Sequence, residues 1–394
     1  MVDMKVLYIV NPGGKSNLYG SHNALLSLLK EIINYPEVKV GVVIPELGFF
    51  SKKLQDINVP YFKIYRYMLT TSPDLKLEVK SIKKTIRYFI MLYRRWRASL
   101  QLEQIINDFK PDIIHTNVGP LDIADKICRM RKIPHIWHLR EYQDADFGMK
   151  FFPSKIKFYN KIHNKNNHCI AITKEIFKYF NLSDKDTVIY DGIIERKSIE
   201  NRYKLKACND KNYYLFVGRI SEAKGIMFLL TAYAQYVKNG GETKLLIVGE
   251  ATSDKFLGDC HNYLASNKLS SKVEFIGYKE DVSKYMQEAK ALIMPSPFEG
   301  FGLVTVEAMF NSCLVVGRNT SGTKEQFDNG LDLKKSEIGI RVNSIDDLVN
   351  SLINIDIGDF DTMINDAFDT VCALYSTNKS VSSILAFYEK CNNS

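Results

Sequence analysis

The residues with the most chemical promise fall in two clusters. The first is Pro295-Ser296-Pro297-Phe298-Glu299-Gly300-Phe301-Gly302-Leu303-Val304-Thr305-Val306-Glu307-Ala308-Met309. Gly300 and Gly302 would let backbone N–H groups approach a ligand closely, and a helix opening there presents its partial positive charge to an anion. Glu299 would stand at the loop and Glu307 two turns into the helix. Carboxylates beside such a helix start are poor phosphate ligands and good acceptors for sugar hydroxyls. The second cluster is Phe216-Val217-Gly218-Arg219, followed by Lys224-Gly225. A guanidinium fork and a compact ammonium suit a diphosphate.

Both clusters need strand ends to hold them. Tyr213–Val217 reads as a short apolar strand ended by the Gly-Arg turn, and Leu292–Met294 as a strand ended by Pro-Ser. Lys244–Val248, Val273–Ile276 and Leu314–Val316 are further strands of this half, with a helix over Ile226–Val237. The first half repeats the scheme with Lys5–Val10, Val38–Ile44, Ile113–His115, His135–His138, His168–Ile172 and Val188–Tyr190, and a helix over Ala24–Ile33. Buried strands alternating with helices imply parallel sheets covered on both faces, which bind ligands beyond the carboxyl ends of their strands. The polar stretch 194–212 reads as a linker. The expectation is α/β, two doubly wound domains facing across a cleft: 1–200, 201–375, and a C-terminal helix in 376–394 (apolar spacing over Val381–Lys390) returning to the first.

Composition supports a globular chain. Of 394 residues 45% are apolar and 25% charged, with 33 Gly and Pro together, so disordered and fibrous classes are excluded. Seven scattered cysteines, never in a CxxC pair, argue for a reducing compartment and against a disulfide framework or zinc site. The opening residues lack the features of a secretory signal, and no apolar run approaches the ~20 residues of a membrane span. The expected location is cytoplasmic.

Charge is uneven. Of the net +8, residues 76–97 supply +7 (eight cations against Glu78). Ile82, Ile86, Phe89, Ile90 and Tyr93 recur at helical steps, and Trp96 follows. This basic amphipathic stretch suits an anionic membrane surface, at the inner face of a plasma membrane, or packs its stripe on the core as an ordinary surface helix. No nucleic-acid module accompanies it. Three motifs carry no chemistry. Gly14-Lys15-Ser16 lacks the earlier glycine of a phosphate loop, since position 9 is Ile; Asp144-Ala145-Asp146 is a chance-level acidic pair; and no histidine spacing suits a metal.

VGR…KG followed by PS…EGFGL…EAM resembles the retaining nucleotide-sugar glycosyltransferases of family 4, which have the GT-B fold of two Rossmann-like domains. Glu299 and Glu307 match that family's E-x7-E spacing. The resemblance covers most of the chain and implies these roles. Arg219 and Lys224 would bind the donor diphosphate, Glu299 the donor sugar and Glu307 the ribose hydroxyls. Gly300, Phe301, Gly302 and Leu303 would form the donor loop, and Gly277-Tyr278 would pass beside the nucleobase. Gly13-Gly14 would approach the phosphates, and His138 would stand near the reacting sugar, as a catalytic residue with Arg219, Lys224 and Glu299; His115 is similar in style. No metal and no cofactor are implied. The donor would be a nucleotide sugar, a UDP-sugar first of all, and the acceptor a glycan or lipid-linked hydroxyl in surface polysaccharide synthesis. A sugar-nucleotide epimerase or hydrolase of the same fold, or a non-catalytic nucleotide-sugar-binding subunit, are the alternatives. Departures from the family pattern are Ser312 and Leu314 after EAM, and Tyr190-Asp191-Gly192 before the linker.

Overall fold

The computed structural model describes residues 3–11, 20–66, 70–71, 82–151, 154–202 and 211–392. The chain divides into two units, Met1–Ile193 with Thr377–Ser394, and Ile194–Ser376.

The first unit holds strands β1 (Met4–Ile9), β2 (Val38–Ile44), β3 (Tyr61–Lys63), β4 (Thr70–Thr71), β5 (Ile113–Thr116), β6 (His135–Leu139), β7 (Lys150–Phe151), β8 (Asn167–Ala171) and β9 (Thr187–Val188). Seven of them make a sheet in the order β3-β2-β1-β5-β6-β8-β9, parallel at every pairing; β4 and β7 form a separate antiparallel pair. Because side chains alternate along a strand, β1 feeds two cores. Val6, Tyr8 and Val10 pack with the helices Gly20–Ile32 and Thr377–Asn392, while Leu7 and Ile9 pack with Ala98, Leu102 and Ile106 of the helix Ile82–Phe109. Both faces of the sheet are thus covered, as the unbroken apolar strands predict.

The second unit holds β10 (Tyr213–Val217), β11 (Lys244–Val248), β12 (Val273–Gly277), β13 (Ala289–Met294), β14 (Leu314–Arg318) and β15 (Ile340–Val342), in the all-parallel order β12-β11-β10-β13-β14-β15. The order turns back on itself between β10 and β13. At such a switch point neighbouring connections leave in opposite directions and open a crevice beyond the strand ends. The linker reading of 194–212 is corrected in part. Residues Arg196–Arg202 form a helix, and Ile194 pairs with Ser376 inside the second unit. Residues 203–210 lie outside the described residues.

The candidate donor site and its supports

Both clusters singled out above meet at the β10/β13 switch point. After β10 the chain passes Gly218 and Arg219, makes one 3-10 turn over Glu222–Lys224, and enters the helix Ile226–Lys238 through Gly225. Gly225 has φ +71°, and a Cβ there would lie 2.2 Å from the Pro295 carbonyl oxygen. Only glycine lets the turn sit against the end of β13. That contact brings Lys224 beside the loop following β13. Lys224 Nζ lies 2.5 Å from Glu299 Oε1, and Ser296 Oγ donates to the Lys224 carbonyl at 3.4 Å. Lys224, Glu299, Phe216, Gly218, Ser296, Gly302, Leu303 and Val304 are among the residues lining a notch of about 50 Å³.

One wall of the notch is the start of the helix Leu303–Phe310. Its N-cap, Gly302, is left-handed (φ +86°) and offers no side chain to the first amides. The positive end of the helix therefore remains available to an anion. Sequence reading missed what holds this loop. Gln326 Nε2 donates to the carbonyls of Phe301 and Gly302 at 2.7 and 3.2 Å, Thr320 Oγ1 donates to Pro297 O at 2.8 Å, and Gly322 N donates to Glu299 O at 3.0 Å. All three come from or just before the helix Ser321–Lys334. No spacing in the sequence links a glutamine to carbonyls 25 positions earlier; only the fold brings them together.

The other predicted donor residues are placed as follows. Arg219 is exposed at the end of β10, outside the notch lining. Gly300 is half-buried in the loop. Phe301 is buried, its ring edge-on to Tyr375 at 5.2 Å, so its side chain anchors the loop. Gly277 closes β12 with φ +76° and open space where a Cβ would stand; Tyr278 beside it is half exposed. Glu307 is half-buried on the second turn of its helix. Desolvation, with the nearby charge of Asp281, pushes its carboxyl up to about 7. Gly13 and Gly14 lie outside the described residues.

In the first unit His138 is the penultimate residue of β6, which runs one residue past the predicted strand end, and its ring is buried at 1% exposure. It contacts His115 and Arg140, and Arg140 in turn is ion-paired with Asp191 and donates to Asn117 at 3.2 Å. Burial first, and the Arg140 charge second, hold both imidazoles well below their usual range, so both are neutral at pH 7. The acidic pair Asp144 and Asp146 serves the fold. Asp144 accepts from Lys155 and Tyr179, and Asp146 accepts the Tyr142 amide.

The basic stretch is described in part. Residues 76–81 lie outside the described residues, and for 82–88 and 91 only the backbone is described. Beyond them the helix has two faces. Ala98, Leu102 and Ile106 are buried, and Arg95 binds the buried Asp122 at 2.8 Å. Phe89, Tyr93, Trp96 and Leu100, spaced by four, three and four, are 62, 55, 56 and 46% exposed. Of the two readings of this stripe, packing on the core does not hold for Phe89 and Tyr93, because the core stripe runs on the other side, from Ala98 onward. No described helix is long and apolar enough to cross a membrane.

Residues 197–355 match the family model for glycosyl transferases group 1. An uncharacterised glycosyltransferase of Methanocaldococcus jannaschii is 26% identical over 342 residues, 83% of this chain and 89% of that one. The alpha-monoglucosyldiacylglycerol synthase of Acholeplasma laidlawii is 26% identical over 81% of this chain and 80% of its own. A protein of Anabaena, solved with UDP-glucose, shares the GT-B fold at a TM-score of 0.74 with 18% identity, over 98% of this chain and 100% of that one. The whole lining of the notch lies within the span that matches the glycosyl transferases group 1 model, and over four fifths of its length the chain is similar to proteins named as a glycosyltransferase and a glycolipid synthase.

Proposed function

We propose that this chain transfers a sugar from a nucleotide diphosphate, a UDP-sugar, to an acceptor hydroxyl with retention of anomeric configuration. The acceptor would be a glycan or a lipid-linked sugar in glycolipid or surface polysaccharide synthesis. The observation that carries the reading is the meeting of Lys224 and Glu299 in a notch walled by an uncapped helix start. A cation and a helix tip cradle a diphosphate, and a carboxylate beside them accepts hydroxyl bonds from the attached sugar. The relative solved with UDP-glucose has the same fold, and a lipid glucosylating relative covers most of the chain.

As the bond from the anomeric carbon to the diphosphate oxygen breaks, negative charge grows on the leaving group. Lys224, Arg219 and the helix start would stabilise it in place, the service a divalent metal gives elsewhere. We therefore expect turnover without added metal. Lys224 already sits against Glu299, a partly exposed pair worth about 0.2–1 kcal/mol, so the diphosphate can take the ammonium over at small cost. The acceptor oxygen bonds to the anomeric carbon on the face the diphosphate leaves, and its proton passes to the departing phosphate oxygen. Glu299, engaged by Lys224, acts in binding rather than as a nucleophile. His138 would donate a hydrogen bond to substrate.

The test is steady-state turnover of UDP-sugars with Lys224→Ala and Arg219→Ala. Loss of one such stabilising group costs about 10²–10³-fold in kcat. Wild-type turnover in the double variant would refute the assignment. Acceptor-dependent release of UDP separates transfer from hydrolysis or epimerisation.

The exposed Phe89, Tyr93, Trp96 and Leu100, on a helix rich in Lys and Arg, support peripheral attachment to an anionic bilayer. Trp96→Ala with Tyr93→Ala should weaken sedimentation with vesicles containing anionic lipid at least tenfold. Equal binding of the wild type to neutral vesicles would overturn the electrostatic part.

A further inference from the structure

A run of buried polar rings links the C-terminal helix to His138. Tyr8 Oη lies 2.9 Å from Tyr388 Oη, and Tyr388 Oη lies 2.6 Å from His115 Nδ1. His115 Nε2 lies 3.0 Å from His138 Nδ1, and an Nη of Arg140 lies 3.3 Å from that same Nδ1. All five side chains are buried.

One fixed charge assigns every proton in this run. A guanidinium has donors and no acceptor, so His138 Nδ1 must be bare to receive Arg140. A neutral His138 then carries its proton on Nε2. The bare Nδ1 also requires His115 Nε2 to be the donor across the 3.0 Å contact. His115, neutral as well, is left with a bare Nδ1, so Tyr388 must donate its hydroxyl proton to that nitrogen. The Tyr388 oxygen is then free to accept the Tyr8 hydroxyl. The run ends at His138 Nε2–H, which is buried and has no hydrogen-bond partner among the described residues; the Asp191 carboxylate stands 4.0 Å away. A buried donor left unmet costs about 1–3 kcal/mol, so a ligand oxygen that meets it gains that amount of affinity.

We propose that Tyr388, on the last helix of the chain, is a positioning residue for transfer. Arg140 sets the tautomer of His138, and Tyr388, by keeping His115 a donor to Nδ1, holds the His138 ring so that Nε2–H is the donor presented to a substrate oxygen. This rests on the reading above that His138 meets substrate. Tyr388→Phe keeps the ring and its packing and removes one proton. His115 can then place its own proton on Nδ1, and its donation to His138 is lost.

The experiment has two arms on the full chain. In the first, two-bond proton–nitrogen NMR correlations of ¹⁵N-histidine protein should show His115 and His138 both protonated on Nε2 in the wild type. In Tyr388→Phe the His115 pattern should change to Nδ1–H or an average of the two. Nδ1–H on His138 in the wild type, or an unchanged His115 pattern in the variant, overturns the proposal. In the second arm Tyr388→Phe should lower kcat about 5- to 10-fold, the effect of one hydrogen bond, with KM within twofold and an unaltered melting temperature. His138→Ala makes the two failures distinguishable. If it leaves kcat unchanged, the substrate role of His138 falls and the positioning role with it, while the tautomers stand as a fold property. If it lowers kcat and Tyr388→Phe does not, the positioning inference alone is refuted.

Discussion

Replacing Glu307 by glutamine should stabilise the second unit, and by more as the pH rises. A carboxyl's ordinary value is 4.5, and desolvation together with Asp281 raises Glu307 to about 7. The folded chain therefore keeps a proton that the unfolded chain releases between those two values. Where the unfolded state binds fewer protons, stability falls with rising pH, so Glu307 becomes progressively destabilising from about pH 4.5 to 7 and fully so above. The gap of about 2.5 at 1.36 kcal/mol each gives an upper figure of about 3.4 kcal/mol. Glu307 is half-buried rather than enclosed, and solvent screening brings this to about 2 kcal/mol. Glutamine has the same shape and no charge at any pH. Its advantage over the wild type should thus grow by about 2 kcal/mol between pH 4.5 and 8, or about 4–8 °C in the melting temperature of a unit this size. Parallel urea and thermal denaturation of both proteins at five pH values measures it. A constant difference across that range would show that Glu307 titrates normally and refute the reasoning. The same proton bears on the ligand. If ionised Glu307 accepts the ribose hydroxyls, UDP affinity of the wild type should weaken below pH 7 by up to tenfold per unit, relative to Glu307→Gln.

Two packing predictions follow from the notch. Gly225→Ala forces a side chain into left-handed backbone and against the Pro295 carbonyl, and should cost about 2–5 kcal/mol, read as a lowered melting temperature. Gln326→Leu removes both donors to the loop carbonyls and should cost about 1–3 kcal/mol, with weaker UDP binding measured by calorimetry; unchanged affinity would show that the loop holds its shape without them.

The fold was legible because its signals are local. Apolar runs such as Tyr213–Val217 and Leu314–Val316 are strands in the structure, and the turns between them are marked by Gly, Pro and Arg. The meeting of Lys224 and Glu299 was legible for a related reason. Lys224 and Glu299 are 75 positions apart, but each follows a strand, and the parallel arrangement of β10 and β13 brings those strand ends together. A motif tied to a strand end inherits its position from the sheet. The apolar stripe on the basic helix was left between two readings because periodicity reports that a face is apolar, not what covers it. Over Phe89–Leu100 the described helix turns that face outward, and a second stripe two residues out of step, on the opposite side of the helix, makes the core contact.

The buried rings of the first unit show where such reading stops. Tyr388, His115 and His138 carry no motif together, and their spacing along the chain says nothing, since one comes from the final helix and two from neighbouring strands. What joins them is electrostatic. Taking an arginine, two imidazoles and two phenols out of water is costly unless each donor finds an acceptor. Asp191 neutralises Arg140, and the remaining groups settle into the one proton arrangement in which no donor faces a donor, with a single N–H at its end unmet among the described residues. An unsatisfied buried group in an otherwise complete network calls for a compensating partner, and under the transfer proposed above a substrate oxygen is that partner.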